Sequence, residues 1–86
     1  MLYQEMVNSI DQMGRCVPQN CYTVRALLIV HRIYILQAPD KKLVPAWQRL
    51  GLHLSNLTSC DKVWDTRVEK IYDRMSNRLC EFSDKS

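Results

Sequence analysis

The sequence predicts an all-α fold: a small bundle of three to four helices that pairs with a second copy. Three observations predict it. Four segments repeat their apolar residues at helical spacing. Only two glycines and three prolines occur, too few for the tight turns of a β-sandwich or barrel. Hydrophobic residues make up 47% of the chain, near the globular average, so the helices have a core to share. Eighty-six residues make a single domain, 1–86. A chain this short removes only about 60–65% of its unfolded surface from water, which makes self-association a natural supplement.

The first expected helix covers Leu2–Met13, where Leu2, Met6, Ile10 and Met13 recur at spacings of four and three. Gly14 is expected to stop it, since glycine accepts positive φ at little cost. The second covers Cys21–Ala38, with Asn20 or Thr23 as its cap and Pro39 as its end. Its apolar residues run almost all the way round, and Arg25 and Arg32 leave one narrow polar edge. Such a helix is central to a bundle or lies at a subunit interface. It holds more apolar surface than a lone chain of this size covers easily. Leu28, Ile29, Ile33 and Leu36 are therefore expected in the core or in a homodimer interface.

The third covers Val44–Leu57, with Pro45 at the first helical position. Trp47, Leu50 and Leu54 join Leu57 as its apolar stripe. Gly51 costs up to about 1 kcal/mol against alanine in a helix, so a neighbouring helix is expected to approach closely there. The fourth covers Cys60–Phe82, with Thr58 and Asp61 resembling a capping box. Trp64, Val68, Ile71, Met75, Leu79 and Phe82 form its stripe. Residues 83–86 read as a frayed tail.

Charge on the fourth helix is sorted by sign. Asp61, Asp65, Glu69 and Asp73 line one flank, and Arg67, Lys70, Arg74 and Arg78 line the other. Opposite charges at i,i+4 would stabilise an isolated helix by about 0.2–0.5 kcal/mol each, and this helix forgoes most of them. Either these are solvated flanks satisfied by other helices, or they meet complementary strips on another chain. Trp64, Arg67, Ile71, Arg74 and Arg78 are the expected partner-binding residues, with Trp47, Leu50, Leu54, Val68 and Met75 in the core or dimer interface.

Chemistry on the chain finds little support. Cys16, Cys21, Cys60 and Cys80 lack the short paired spacings of a zinc site. Asp61 opposes ionisation of Cys60, the thiol near the start of the fourth helix. His31 reads as a partly buried histidine with one hydrogen bond, and His53 as facing solvent. No phosphate loop or paired carboxylate stands out, so no enzyme activity, metal or cofactor is expected. The amphipathic N-terminus does not read as a signal peptide, and Val24–Leu36 is too short and too charged to span a membrane. A cytoplasmic location with reduced thiols follows as the expectation, and the Asn56-Leu57-Thr58 sequon then carries no meaning. A net charge of +3, spread along the chain, does not make direct nucleic-acid binding the expectation.

Trp47-x-x-Leu50-x-x-x-Leu54, a polar loop, Asp61-x-x-Trp64, then Arg67, Ile71-Tyr72 and Asp73-Arg74-Met75 together resemble the signature of the AraC Negative Regulator family. The resemblance spans Lys42–Met75, under half of the chain. It implies a small bacterial protein that binds AraC-type virulence activators and blocks their dimerisation or DNA binding. Two other functions fit the same residues. One is a chaperone or escort for a secreted or structural protein, though such chaperones tend to be acidic. The other is a DNA- or nucleoid-associated modulator.

Overall fold

A computed structural model describes residues 2–56 and 66–84. Among them the chain is an all-α bundle, with α1 at Leu2–Cys16, α2 at Tyr22–Gln37, a 3-10 turn at Asp40–Lys42, α3 at Leu43–Asn56 and α4 at Thr66–Asp84. α1 packs against both α2 and α4, and α3 packs against both of them too. The four helices thus close a ring around one core. The Thr58–Asp61 cap, Leu57, Cys60, Asp65 and Trp64 lie outside the described residues.

Among the described residues the helix ends differ from the expected ones by a few residues, and the expected start of the fourth helix at Cys60 lies outside them. α1 runs through Gly14 to Cys16. Pro18 rather than the glycine sets its end, because a residue before proline avoids helical geometry. α2 is entered from a turn in which the Cys21 N–H donates to the Pro18 carbonyl (3.0 Å) and the Arg25 N–H to the Cys21 carbonyl (3.1 Å). Cys21 is therefore the N-cap, and no side chain caps it. Ala38 is extended at φ −78°, ψ 141°, as Pro39 requires. The Lys42 N–H donates to the Pro39 carbonyl at 2.8 Å, and this turn leads into α3. Pro45 is thus the third residue of α3, where an N–H still has no intrahelical acceptor. α4 continues to Asp84, so the tail begins later than expected.

Each helix supplies one face to the core. Met6, Val7, Ile10 and Met13 come from α1, and Val24, Leu28 and Ile35 from α2. Leu43, Ala46, Trp47, Leu50 and Leu54 come from α3, and Val68, Met75 and Leu79 from α4. Burying one such side chain contributes about 1.5–3 kcal/mol, so the apolar stripes hold the ring together. Phe82, expected on the α4 stripe, is 44% exposed.

Trp47 anchors the α3–α4 contact. Its indole stacks on the Tyr72 ring, with centroids 5.2 Å apart and planes 10° from parallel. Its Nε1–H donates to Ser76 Oγ at 3.0 Å, and Ser76 Oγ–H donates to the Tyr72 carbonyl at 2.9 Å. The Tyr72 hydroxyl donates to the Trp47 carbonyl at 3.2 Å. Burial pushes the Tyr72 phenol above its ordinary pKa, which keeps that donor protonated. Gly51 makes the arrangement possible: a Cβ there would overlap the Tyr72 hydroxyl and ring. The close approach expected at Gly51 is therefore made by one tyrosine of α4.

Candidate protein-binding surface

The expected partner-binding residues on α4 do not form one free strip. Ile71 is half-buried and packs against the core. Arg78 reaches across to α1, where its Nε–H donates to Glu5 Oε1 at 3.0 Å and its Nη2 lies 3.5 Å from Glu5 Oε2. It also lies 3.7 Å from Glu81 on its own helix. Arg67 and Arg74 are exposed, and Trp64 is outside the described residues. The unusual sign order on α4 is thus answered in part by α1, at a distance of 73 residues along the chain. Of the residues expected in the core or dimer interface, Leu28, Trp47, Leu50, Leu54, Val68 and Met75 are buried. Ile29, Ile33 and Leu36 are 57%, 49% and 46% exposed.

α2 explains that division. Val24, Leu28, His31 and Ile35 face the core. On its other side Tyr22, Ile29, Val30, Ile33, Tyr34 and Leu36 are exposed, over an arc of about 160° at about 100° per residue. Both faces are apolar, so α2 separates its residues by neighbour and not by polarity.

Along one edge of that outward face runs an open groove between α1 and α2. It encloses about 530 Å³ and is lined by Ile10, Asp11, Gly14, Arg15, Val17, Gln19, Arg25, Leu28, Ile29 and Arg32. That volume lies in the usual range for binding clefts. Ile10, Val17 and Leu28 are buried and give it an apolar floor. Three guanidinium groups meet a single carboxylate on its walls. Arg32 Nε–H donates to Asp11 Oδ1 at 3.0 Å, which ties α2 to α1 and uses that carboxylate. Arg25 Nη1 lies 3.4 Å from the Gly14 carbonyl, one of the last α1 carbonyls with no intrahelical donor. Arg15 sits in the last turn of α1, where a cation complements the helix dipole. The arginines thus have a structural reason to be there, and two of them still lack a carboxylate among the described residues. Neither Arg15 nor Arg25 stood out in the sequence as a site residue, because only the packing of α1 on α2 brings them together.

On the opposite side of α2, His31 meets His53 of α3. His31 Nε2 and His53 Nδ1 are 3.1 Å apart. His31 is buried, and its Nδ1 has no hydrogen-bond partner. A proton on Nδ1 would bury an N–H with nothing to accept it, so neutral His31 carries its proton on Nε2 and donates to His53. Burial, then His53 and Arg49 nearby, lower the His31 pKa below its ordinary 6.5. His31 makes the one hydrogen bond expected of it but is buried and not partly buried; His53 is exposed, as expected, and is also its partner.

Cys16, Cys21 and Cys80 are thiols outside any disulfide. Among the described residues no group of three metal-ligating side chains comes together, and no helix is long and apolar enough to cross a membrane. No protein-family model, curated protein or solved structure matches the chain.

Proposed function

We propose that this chain is a non-enzymatic regulator that acts by binding another polypeptide. The resemblance over Lys42–Met75 to the AraC Negative Regulator family points to an AraC-type activator of virulence genes as the target, and to inhibition as the outcome. The observation that supports binding is the α1–α2 groove, with its apolar floor and its excess of guanidinium over carboxylate. It suits an amphipathic segment that presents carboxylates. The acids meet Arg15 and Arg25, where paired N–H donors match a carboxylate's two oxygens, and the apolar side lies on Ile10, Leu28 and Ile29. Charge matching of this kind sets partner choice and encounter rate more than raw affinity. The lining residues include no hydroxyl, thiol or imidazole, which favours recognition over reaction. The contact surface therefore moves from α4 to the seam between α1 and α2.

Co-expression of the tagged chain with an AraC-type activator tests this. The wild-type chain should retain the activator, and Arg15→Glu/Arg25→Glu should reduce capture about tenfold or more, on the order of one charge-assisted hydrogen bond. Arg32 is left intact because it holds Asp11. Undiminished capture by the double variant, with unchanged helicity, refutes the groove as the contact. A wild-type chain that retains no activator refutes the target.

A further inference from the structure

The outward face of α2 carries a second inference, which shares Ile29 with the groove wall but rests on a different stripe of residues. Tyr22, Ala26, Ile29, Ile33 and Leu36 are all exposed, and they follow one another at spacings of four, three, four and three. That alternation is the a/d pattern of helices that wrap around each other. The inward face of α2 is already occupied by α1 and α3, and this second seam is left largely open among the described residues. No charged residue falls on it.

We propose that the occupant of this seam is a second copy of the same chain, paired helix to helix along α2. Area and composition argue for it. Tyr22, Ile29, Val30, Ile33, Tyr34 and Leu36 remain between 41% and 77% exposed. Together they leave roughly 600 Å² to solvent, at about 150–250 Å² for a large side chain. The largest apolar patch of an ordinary monomer spans about 300–600 Å², and a standard interface takes about 800 Å² from each partner. One helix thus supplies most of one side of a stable interface. Interfaces between unlike proteins are about as polar as the rest of the surface, whereas homodimer interfaces are more apolar. An uncharged stripe finds its complement in itself. Ala26, the smallest residue of the seam, lets two backbones approach, and Ile29, Ile33 and Leu36 supply the interlocking side chains. Arg25 and Arg32 flank the seam and are turned toward α1 by Gly14 and Asp11, so they do not bar the approach.

Sedimentation equilibrium of the full chain, from micromolar to about 100 µM, tests the pairing. The wild-type chain should show a two-chain mass that falls only on dilution. Ile29→Glu/Ile33→Glu should give a one-chain mass with the same helical circular dichroism, since both side chains are already exposed in the single chain. Leu36→Ser is the milder second variant and should raise the dissociation constant at least tenfold. Leu52→Glu, at an exposed residue of α3, is the control and should keep the two-chain mass. A wild-type chain of one-chain mass at 100 µM overturns the proposal. So does a folded Ile29→Glu/Ile33→Glu chain that stays paired. Capture of an activator through Arg15 and Arg25 is read in a separate assay, so either proposal can fail while the other stands.

Discussion

Gly51→Ala should destabilise this protein, although alanine is the better helix former. In an open helix the exchange would stabilise by about 0.8–1 kcal/mol. At Gly51 the new methyl would occupy space held by the Tyr72 hydroxyl and ring. The tyrosine is not free to swing aside, because its ring stacks on Trp47 and its hydroxyl donates to the Trp47 carbonyl. Moving it would loosen a hydrogen bond of about 0.5–1.5 kcal/mol and an aromatic pair of about 0.5–1.5 kcal/mol. Overpacking in general costs about 1–3 kcal/mol, which is the same cost seen from the other side. Setting the helix gain against it leaves a net loss of up to about 2 kcal/mol. Urea unfolding should show a lower midpoint with the slope unchanged, as for a pure stability change. Gly14→Ala is the internal control. It also sits in a helix, and a Cβ there meets nothing within 4 Å, so it should stabilise by up to about 1 kcal/mol. If Gly51→Ala matched Gly14→Ala in sign, the account of the α3–α4 contact would be wrong. A double-mutant cycle with Tyr72→Leu should recover most of the loss, since the clash and its cause disappear together.

Two further predictions concern the same core and the contact between α2 and α3. Ser76→Ala should cost about 1–3 kcal/mol in urea unfolding, because it strands the Nε1–H of a buried tryptophan. Lowering the pH should weaken the fold through His31. Its folded pKa lies below the unfolded 6.5, so the unfolded chain takes up the proton first. The stability it contributes is fully present above pH 6.5 and is lost as the pH falls below that value toward the folded pKa. His53 and Arg49 on α3 oppose the added charge, and the Nδ1–H it creates has no acceptor. His31→Leu should flatten this slope in unfolding titrations between pH 7 and 5; an unchanged slope would assign it to another group.

What the sequence made legible follows from where polarity changed along it. α1 and α4 alternate apolar and polar residues sharply, so Met6, Ile10, Val68 and Met75 could be placed in the core from spacing alone. α2 has no such contrast. Ile29 and Leu28 are neighbours of nearly equal hydrophobicity, and only the arrival of α1 and α3 on one side decides that Leu28 is buried and Ile29 exposed. The charge order on α4 showed that local pairing was not satisfied, but not that Glu5 would answer Arg78. Gly51 announced a close approach without naming Tyr72. The groove was hidden for the same reason: Arg15, Arg25 and Arg32 converge only through tertiary packing.

The ring closes by joining its first helix to its last. α1 rests on α4 as well as on α2, and Glu5 grips Arg78. During synthesis, then, the apolar flank of α1 must wait until the residues of α4 have left the ribosome before α4 shelters it. A chain cut short within α4 would forfeit the clasp that completes the bundle, and quality-control proteases would meet an unsealed helix.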